Sequence, residues 1–142
     1  MRTLNKELIE QEFSKKNLFE RLWIERTIIG KNPFYVQIEF KDGRVIKYNI
    51  QAKEGMEEGF SINQINIYPR RNWKPEEEYL FKRIMKKNED IARRIKSNFI
   101  AIKSVEDGLL QNWLEEKGYE IKKGENDYIG FKKLKWQEQL LE

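Results

Sequence analysis

The sequence contains no cysteine and no histidine among its 142 residues. Their absence excludes a thiolate nucleophile, a disulfide, an imidazole base and any zinc or iron site built on Cys or His ligands. Carboxylates, Lys, Tyr, Ser, Thr and backbone amides remain as catalytic groups. No run approaches about 18 consecutive apolar residues, and the first residues lack the apolar core of a signal peptide. We therefore expect a cytoplasmic protein with no membrane partner.

The composition predicts a folded chain, because 39% of the residues are hydrophobic and 13% are aromatic. The net charge of +4 arises in residues 1–75, which hold 14 Lys and Arg against 10 Asp and Glu. We expect one domain over residues 1–134 and a charged tail over residues 135–142. The abundant Lys, Glu, Ile and Asn suggest an AT-rich genome, such as that of a phage, a plasmid or a low-GC bacterium.

The first segment, from Leu4 to Ile29, has apolar residues at spacings of three and four, which predict helix. Ser14 interrupts the pattern and could cap a second helix, so that one bent helix and two short ones both fit. Gly30 and Pro33 then end the segment.

A hairpin follows, since apolar and polar residues alternate from Phe34 to Phe40 and again from Val45 to Ile50, around an Asp42-Gly43 turn. In the next strand the apolar residues change parity between Ile62 and Ile65. This change predicts a β-bulge near Asn63-Gln64 or, as the alternative, a strand buried on both faces.

The second half predicts a helix from Glu76 to about Ser97, a strand from Phe99 to Ile102 and a helix capped by Ser104. Gly118 fits the end of that helix, and two strands close the chain, the last over residues 128–134. The predicted fold class is α+β, with a mixed, mostly antiparallel sheet flanked by helices.

This order resembles that of the GCN5-related N-acetyltransferases (GNAT) over residues 34–134. In that family a bulged strand precedes a turn and a helix that hold the pyrophosphate of acetyl-CoA, and a Gly-aromatic pair follows a later short helix. The resemblance assigns the bulged strand to Ile65–Tyr68, the phosphate turn to Arg70–Pro75 and the pair to Gly118-Tyr119. It also implies an opening between the strand that ends at Tyr68 and the strand that starts at Phe99.

Two motifs of the family are altered here. Its phosphate turn has small residues at the positions that Trp73 and Pro75 occupy in this chain. Trp adds bulk and Pro removes an N–H donor, so both weaken a pyrophosphate cradle. The Tyr that serves the family as general acid corresponds to Leu114, beside Trp113, and neither side chain can protonate a thiolate.

The candidate ligand-binding residues form the basic, aromatic turn Arg70, Arg71, Asn72, Trp73 and Lys74. Such a turn could contact a phosphate, a nucleic acid or a protein, and the alternative is a solvated turn with Trp73 packed over the helix. The sequence assigns no catalytic residue and no metal ligand. Glu39, Glu57 and Glu58 could supply a base, but nothing near them indicates desolvation, so surface carboxylates are the simpler interpretation.

Three functional hypotheses follow. The first is a GNAT-like domain with lost or altered acetyl-CoA chemistry that binds a partner, with a protein as the favoured partner. The second is an atypical acetyl-CoA-dependent N-acetyltransferase that holds the coenzyme through Arg70, Arg71 and Lys74. The third is a nucleic-acid-binding module with a winged-helix-like C-terminal part, which the seven Lys and Arg against nine Asp and Glu in residues 98–142 disfavour. We favour the first and leave the question of enzymatic activity open.

Overall fold

The computed structural model describes residues 4–52, 59–68, 74–103, 105, 108–124 and 127–134, with the backbone alone for residues 64–68. Within these ranges the elements are, in chain order, α1 (Lys6–Phe13), α2 (Leu18–Trp23), β1 (Ile24–Gly30), β2 (Phe34–Phe40), β3 (Val45–Ala52), β4 (Phe60–Tyr68), α3 (Pro75–Arg94), β5 (Phe99–Lys103), α4 (Gly108–Glu116), β6 (Glu120–Lys123) and β7 (Tyr128–Lys133). The predicted tail at 135–142 lies outside the described residues.

The strands form one seven-stranded sheet in the order β1-β2-β3-β4-β5-β7-β6. All neighbouring pairs are antiparallel except β4 and β5, which run parallel because the α3 crossover joins them. A mixed, mostly antiparallel sheet with flanking helices confirms the predicted α+β fold class.

Every described helix lies on one face of this sheet. The Asn88 amide on α3 donates to the hydroxyl of Tyr48 on β3 over 2.9 Å, which places α3 above the central strands. Both α1 and α2 form ion pairs with α3, and Trp113 of α4 packs against Phe81 of α3 with ring centroids 5.5 Å apart. The opposite face, which we call the open face, carries the side chains that alternate with the buried ones.

The hydrophobic core lies between the helices and the sheet. Side chains that are almost fully buried come from α1, α3 and the four central strands: Ile9, Ile38, Ile46, Tyr48, Ile50, Phe60, Ile62, Leu80, Phe81, Met85, Ile91, Ile100 and Ile102. Strand residues two apart supply this core. In β4 and β5, Ser61 and Ala101 on the opposite face are also buried, so the paired parts of these two strands are buried on both faces.

The prediction of helix up to Ile29 was wrong, because α2 ends at Trp23 and β1 begins at the next residue. Thr27, Ile28 and Ile29 are β-branched and gain a ladder with β2, which outweighs the helical spacing of the preceding residues. The proposed cap at Ser14 was also wrong. Ser14 is the C-cap of α1, and Asn17 caps α2 through a bond from the Glu20 N–H.

The bulge prediction is confirmed. Asn49 lies opposite Asn63, whereas Lys47 lies opposite Asn66, so β4 contains one more residue than β3 between these pairs. The hairpin of β2 and β3 also forms around the Asp42-Gly43 turn, and Gly43 has a φ of +91°. The helix predicted over residues 76–97 is α3, which ends three residues earlier at Arg94.

Candidate functional site

The pairing of the parallel strands β4 and β5 ends before the position where the candidate site is expected. They pair from Phe60 to Asn63 and from Ile100 to Lys103, after which β5 ends and β4 continues along β3 alone. At the start of the pair, the Ser97 hydroxyl accepts from the Phe60 N–H and donates to the Phe99 carbonyl. The pairing with β5 therefore stops within β4, five residues before Tyr68, and Ser97 joins the two strands at the other end of the pair.

The candidate ligand-binding turn follows β4 in the chain, but Arg70, Arg71, Asn72 and Trp73 are outside the described residues. Lys74 is described and is the N-cap of α3, with Pro75 as the first helical residue. Its ammonium group donates to Asp42 Oδ2 over 3.1 Å. The side chain of Lys74 is thus directed toward the β2–β3 turn, where its charge is paired.

The first turn of α3 uses its own carboxylate as a cap. Glu77 Oε1 accepts from the Lys74 N–H over 2.5 Å, and the Lys74 carbonyl accepts from the N–H groups of Glu77 and Glu78. Pro75 has no N–H to offer. The amides of Lys74, Glu77 and Glu78 are therefore already used, although a helix that binds a phosphate turns such donors toward its ligand.

Glu77 is also half of a buried ion pair. Its Oε1 accepts from Arg44 Nη1, and the exposed fractions of the two side chains are 5% and 0%. Arg44 directly follows the Asp42-Gly43 turn, and its own N–H donates to Asp42 Oδ1 over 3.0 Å. Two ion pairs, Arg44–Glu77 and Lys74–Asp42, thus join the β2–β3 turn to the start of α3.

This arrangement places a carboxylate where a pyrophosphate would need positive potential. The positive end of the helix dipole and the Arg44 guanidinium both act on Glu77, so its carboxylate already compensates these two positive charges. Glu76 and Glu78 add two carboxylates to the same turn. A diphosphate at this helix end would have to displace or tolerate three acidic side chains.

The positions that the resemblance assigns to a general acid and to the Gly-aromatic pair are structural in this chain. Leu114 and Trp113 are 1% and 4% exposed. A Cβ added at Gly130 would lie 3.3 Å from Leu114 Cδ1, so α4 packs tightly on β7. Gly118 has a φ of +91° and ends α4 as predicted. Neither Leu114 nor Trp113 carries a transferable proton.

Tyr119, the aromatic residue of the Gly-aromatic pair, also carries a phenol, and its proton is held by a buried acceptor. The hydroxyl donates to Glu89 Oε2 over 2.8 Å, while Lys132 donates to the other carboxylate oxygen over 3.1 Å. Burial, followed by the charge of Glu89 and the bond to it, raises the pKa of Tyr119 well above its ordinary value. A phenol in this state is a weak general acid at neutral pH.

Of the three suggested bases, only Glu39 lies among the described residues. Glu39 lies on the open face and binds Arg26 through two hydrogen bonds of 3.1 Å each, while Glu57 and Glu58 are outside the described residues.

Within the described ranges no group of acidic side chains could hold a metal ion. None of the described helices is long and apolar enough to cross a membrane.

A second buried charge network joins α1, α2 and α3. Glu20 is 2% exposed and pairs with Lys87 over 3.2 Å and with Arg83 over 2.9 Å. Burial alone would raise the pKa of Glu20, but the charge of Lys87 and hydrogen bonds from Arg83 and Asn17 outweigh it and lower that pKa. Burial lowers the pKa of Lys87, with the charge of Glu20 opposing it. These groups hold three helices together.

Sequence reasoning missed Arg44, Glu77 and Glu89 as the residues that organise these sites. Glu77 had a signal, since an acidic residue three positions after a helix N-cap is typical of a capping box. No signal in the sequence indicated Arg44, because a basic residue after a hairpin turn is usually exposed. The burial of Arg44 follows from the position of α3 over the turn, which only the tertiary fold determines.

No family model matches the chain, and no curated protein matches it. Among solved structures it is similar to a crystal structure of an acetyltransferase of the GNAT family from Listeria monocytogenes 4b F2365. The sequence identity is 12%, and the match covers 90% of this chain and 86% of the other with a TM-score of 0.44. The likeness is a modest one of fold and says nothing of ligand or reaction.

Proposed function

We propose that this chain is a GNAT-like domain whose acetyl-CoA chemistry is lost or altered and that it acts by binding a partner. The observation that carries the proposal is the use of the α3 N-terminus by Glu77, which caps Lys74 and pairs with the buried Arg44. In such a domain the same helix end would otherwise hold the pyrophosphate. Because the Glu77 carboxylate already interacts with this helix end, binding of a second anion there is unfavourable.

The altered acid position supports the same proposal. Leu114 and Trp113 contribute to packing, and the proton of Tyr119 is bound to Glu89. Phosphate binding and leaving-group protonation are separate requirements of the transfer reaction. Both are weakened here through different residues, which argues for a domain retained for binding.

Calorimetric titration with coenzyme A and with acetyl-CoA tests the proposal. We expect no measurable heat at about 1 mM ligand and no rise in melting temperature, since a ligand that binds only the folded state must raise it. An affinity tighter than about 100 μM would contradict the proposal.

The charge reversals Arg70→Glu and Arg71→Glu assign any such binding to the basic turn, with the exposed Arg21→Glu on α2 as the matched control. A thermal shift that is lost only in the turn variants would support the atypical acetyltransferase instead. In that case, release of free thiol from acetyl-CoA with a panel of amines would be the next measurement.

A further inference from the structure

The open face of the sheet combines aromatic and basic side chains across six strands. The register places Tyr35 opposite Asn49, Asn49 opposite Asn63, and Asn63 opposite Lys103. In the neighbouring row Ala101 lies opposite Phe131. Phe131 in turn lies opposite Glu120 of β6. Side chains at directly opposed positions share a face, so these residues form one surface that extends from β2 to β6.

The aromatic rings on this face lie at its surface. Phe99 and Phe131 contact each other with centroids 4.9 Å apart and an interplanar angle of 32°, and both are only partly buried. Tyr35 is likewise partly buried and lies 4.9 Å from the ammonium group of Lys47. Partly exposed rings next to cations provide platforms on which a flat, anionic ligand can stack.

The charges of the open face favour an anionic partner. Lys47, Lys103, Lys122 and Lys133 are exposed on it, and none of the four forms an ion pair with a described residue. Among the residues that the structure describes, the carboxylates that share the face are Glu39, which is already paired with Arg26, and Glu120. The four lysines therefore keep their charges available for a ligand.

The charge balance of residues 98–142 alone does not reveal this surface. That segment carries more acidic than basic residues, but of its described acidic residues Glu115 and Glu116 lie on α4, and only Glu120 lies on the open face. Lys103, Lys122 and Lys133 point to the open face, whereas Lys132 is bound to Glu89 on the helical side. A net count over the segment therefore includes carboxylates of α4 that do not lie on the open face.

The dimensions of the face suit a single strand. Tyr35 on β2 and Phe131 on β7 are separated by four strand spacings of about 4.8 Å, or roughly 19 Å. This distance spans several nucleotides of an extended chain. A duplex is read by an element that enters its groove, and no described helix projects from this face.

We infer that the open face binds single-stranded nucleic acid, with bases stacked on Phe99, Phe131 and Tyr35 and phosphates near Lys47, Lys103 and Lys133. The inference names the partner that the proposed function leaves open. It rests on the proposed function in one respect: the partner binds the open face and not the N-terminus of α3.

Fluorescence anisotropy of labelled oligonucleotides tests the inference. The probes are an oligo(dT) strand and an oligo(U) strand, each of about 15 nucleotides, and a DNA duplex of the same length. We expect both single strands to bind more tightly than the duplex. If three to four lysines neutralise phosphates, the affinity should fall by about 20- to 50-fold between about 50 and 200 mM salt.

Two sets of variants separate stacking from charge. Phe99→Leu and Phe131→Leu keep apolar bulk without a stacking ring and should each weaken binding about tenfold. Lys103→Gln with Lys133→Gln should weaken it and reduce the salt slope by about 1.4. The matched control, Lys86→Gln with Lys117→Gln, removes two exposed charges on the helical side and should leave affinity unchanged. Circular dichroism melts verify that each variant is folded.

The outcomes are distinct. No anisotropy change with about 50 μM protein at low salt overturns the inference, and so does a preference for the duplex. Binding that the lysine variants weaken but the phenylalanine variants do not would also overturn it, because stacking would then be absent. Coenzyme A binding, measured separately, would contradict the proposed function without altering the anisotropy result. Failure of the proposed function and failure of this inference can therefore be distinguished.

Discussion

The guanidinium of Arg44 and the carboxylate of Glu77 are 33 residues apart in sequence and form a buried ion pair. Their contact fixes the β2–β3 turn against the first turn of α3. The same carboxylate caps the helix by accepting from the Lys74 N–H. One side chain therefore links strand position, helix start and the local charge of the candidate site.

The Arg44→Met variant should lower the free energy of unfolding by about 3 to 5 kcal/mol, because it leaves the Glu77 carboxylate buried without its guanidinium partner. Urea denaturation at pH 7 measures this change. The double variant Arg44→Met with Glu77→Leu should recover part of the loss, since no unpaired charge remains and only the cap is missing.

Glu76→Gln is the matched control for the ion pair, as it removes a carboxylate from the same turn without touching Arg44. It should change stability by less than about 0.5 kcal/mol. An Arg44→Met variant as stable as the wild type would show that the pair does not hold the turn.

The sequence predicted the parts of the fold that depend on local pattern. The β2–β3 hairpin, the bulge in β4 and the start of α3 each follow from alternation, turn residues or caps within a few positions. The strand β1 was missed because residues before Trp23 have helical spacing and the ladder with β2 is a nonlocal gain. Local signals do not include that gain.

The candidate site was only partly predictable for a related reason. A capping Glu at position 77 can be read from spacing, but its pairing with Arg44 requires knowing that α3 crosses above the hairpin turn. The open face shows the same limit. Alternation identifies which residues of one strand share a side, whereas strand order decides that Tyr35, Lys103 and Phe131 share a surface.

Alkaline pH should destabilise the protein through its buried tyrosines. Burial raises the pKa of Tyr48, and burial followed by the charge of Glu89 raises that of Tyr119. In the unfolded chain a Tyr titrates near about 10. Their stabilising contribution is therefore complete below pH 10 and is lost as pH rises further, because the unfolded state releases protons that the folded state retains.

Tyr119→Phe should reduce this alkaline slope by up to about 1.4 kcal/mol per pH unit, the value for one proton. Urea denaturation between about pH 8 and 11 measures the slope. Tyr128→Phe is the control, because it removes the hydroxyl of a tyrosine that is 37% exposed. Equal slopes for the two variants would refute the role of Tyr119.

Acidic pH should destabilise the folded protein through protonation of Glu20. Its pKa in the folded protein is lowered despite burial, because the charge of Lys87 and the bonds from Arg83 and Asn17 favour the carboxylate. The unfolded chain has a value near about 4.3. The stability from this shift is present above that pH and disappears as pH falls through the lower folded pKa.

Glu20→Gln should therefore unfold more easily than the wild type at pH 7, while the two proteins converge as pH falls below about 4. Thermal melts from pH 7 to pH 3 check this convergence. Glu7→Gln on α1 tests a carboxylate outside this network and should show the wild-type pH dependence. A gap between Glu20→Gln and wild type that stays constant with pH would indicate a packing effect only.

Gly30→Ala should destabilise the β1 edge through the ring of Tyr35. A Cβ at position 30 would lie 2.0 Å from Tyr35 Cε1, so the ring must swing away and lose its contact with Lys47. We expect a loss of about 1 to 3 kcal/mol in urea denaturation. In a Tyr35→Ala background the same change should be neutral or slightly stabilising, because Ala costs less backbone entropy than Gly. Gly108→Ala is the control, because its added Cβ meets nothing within 4 Å. Equal losses of stability at both glycines would rule out the Tyr35 ring as the cause.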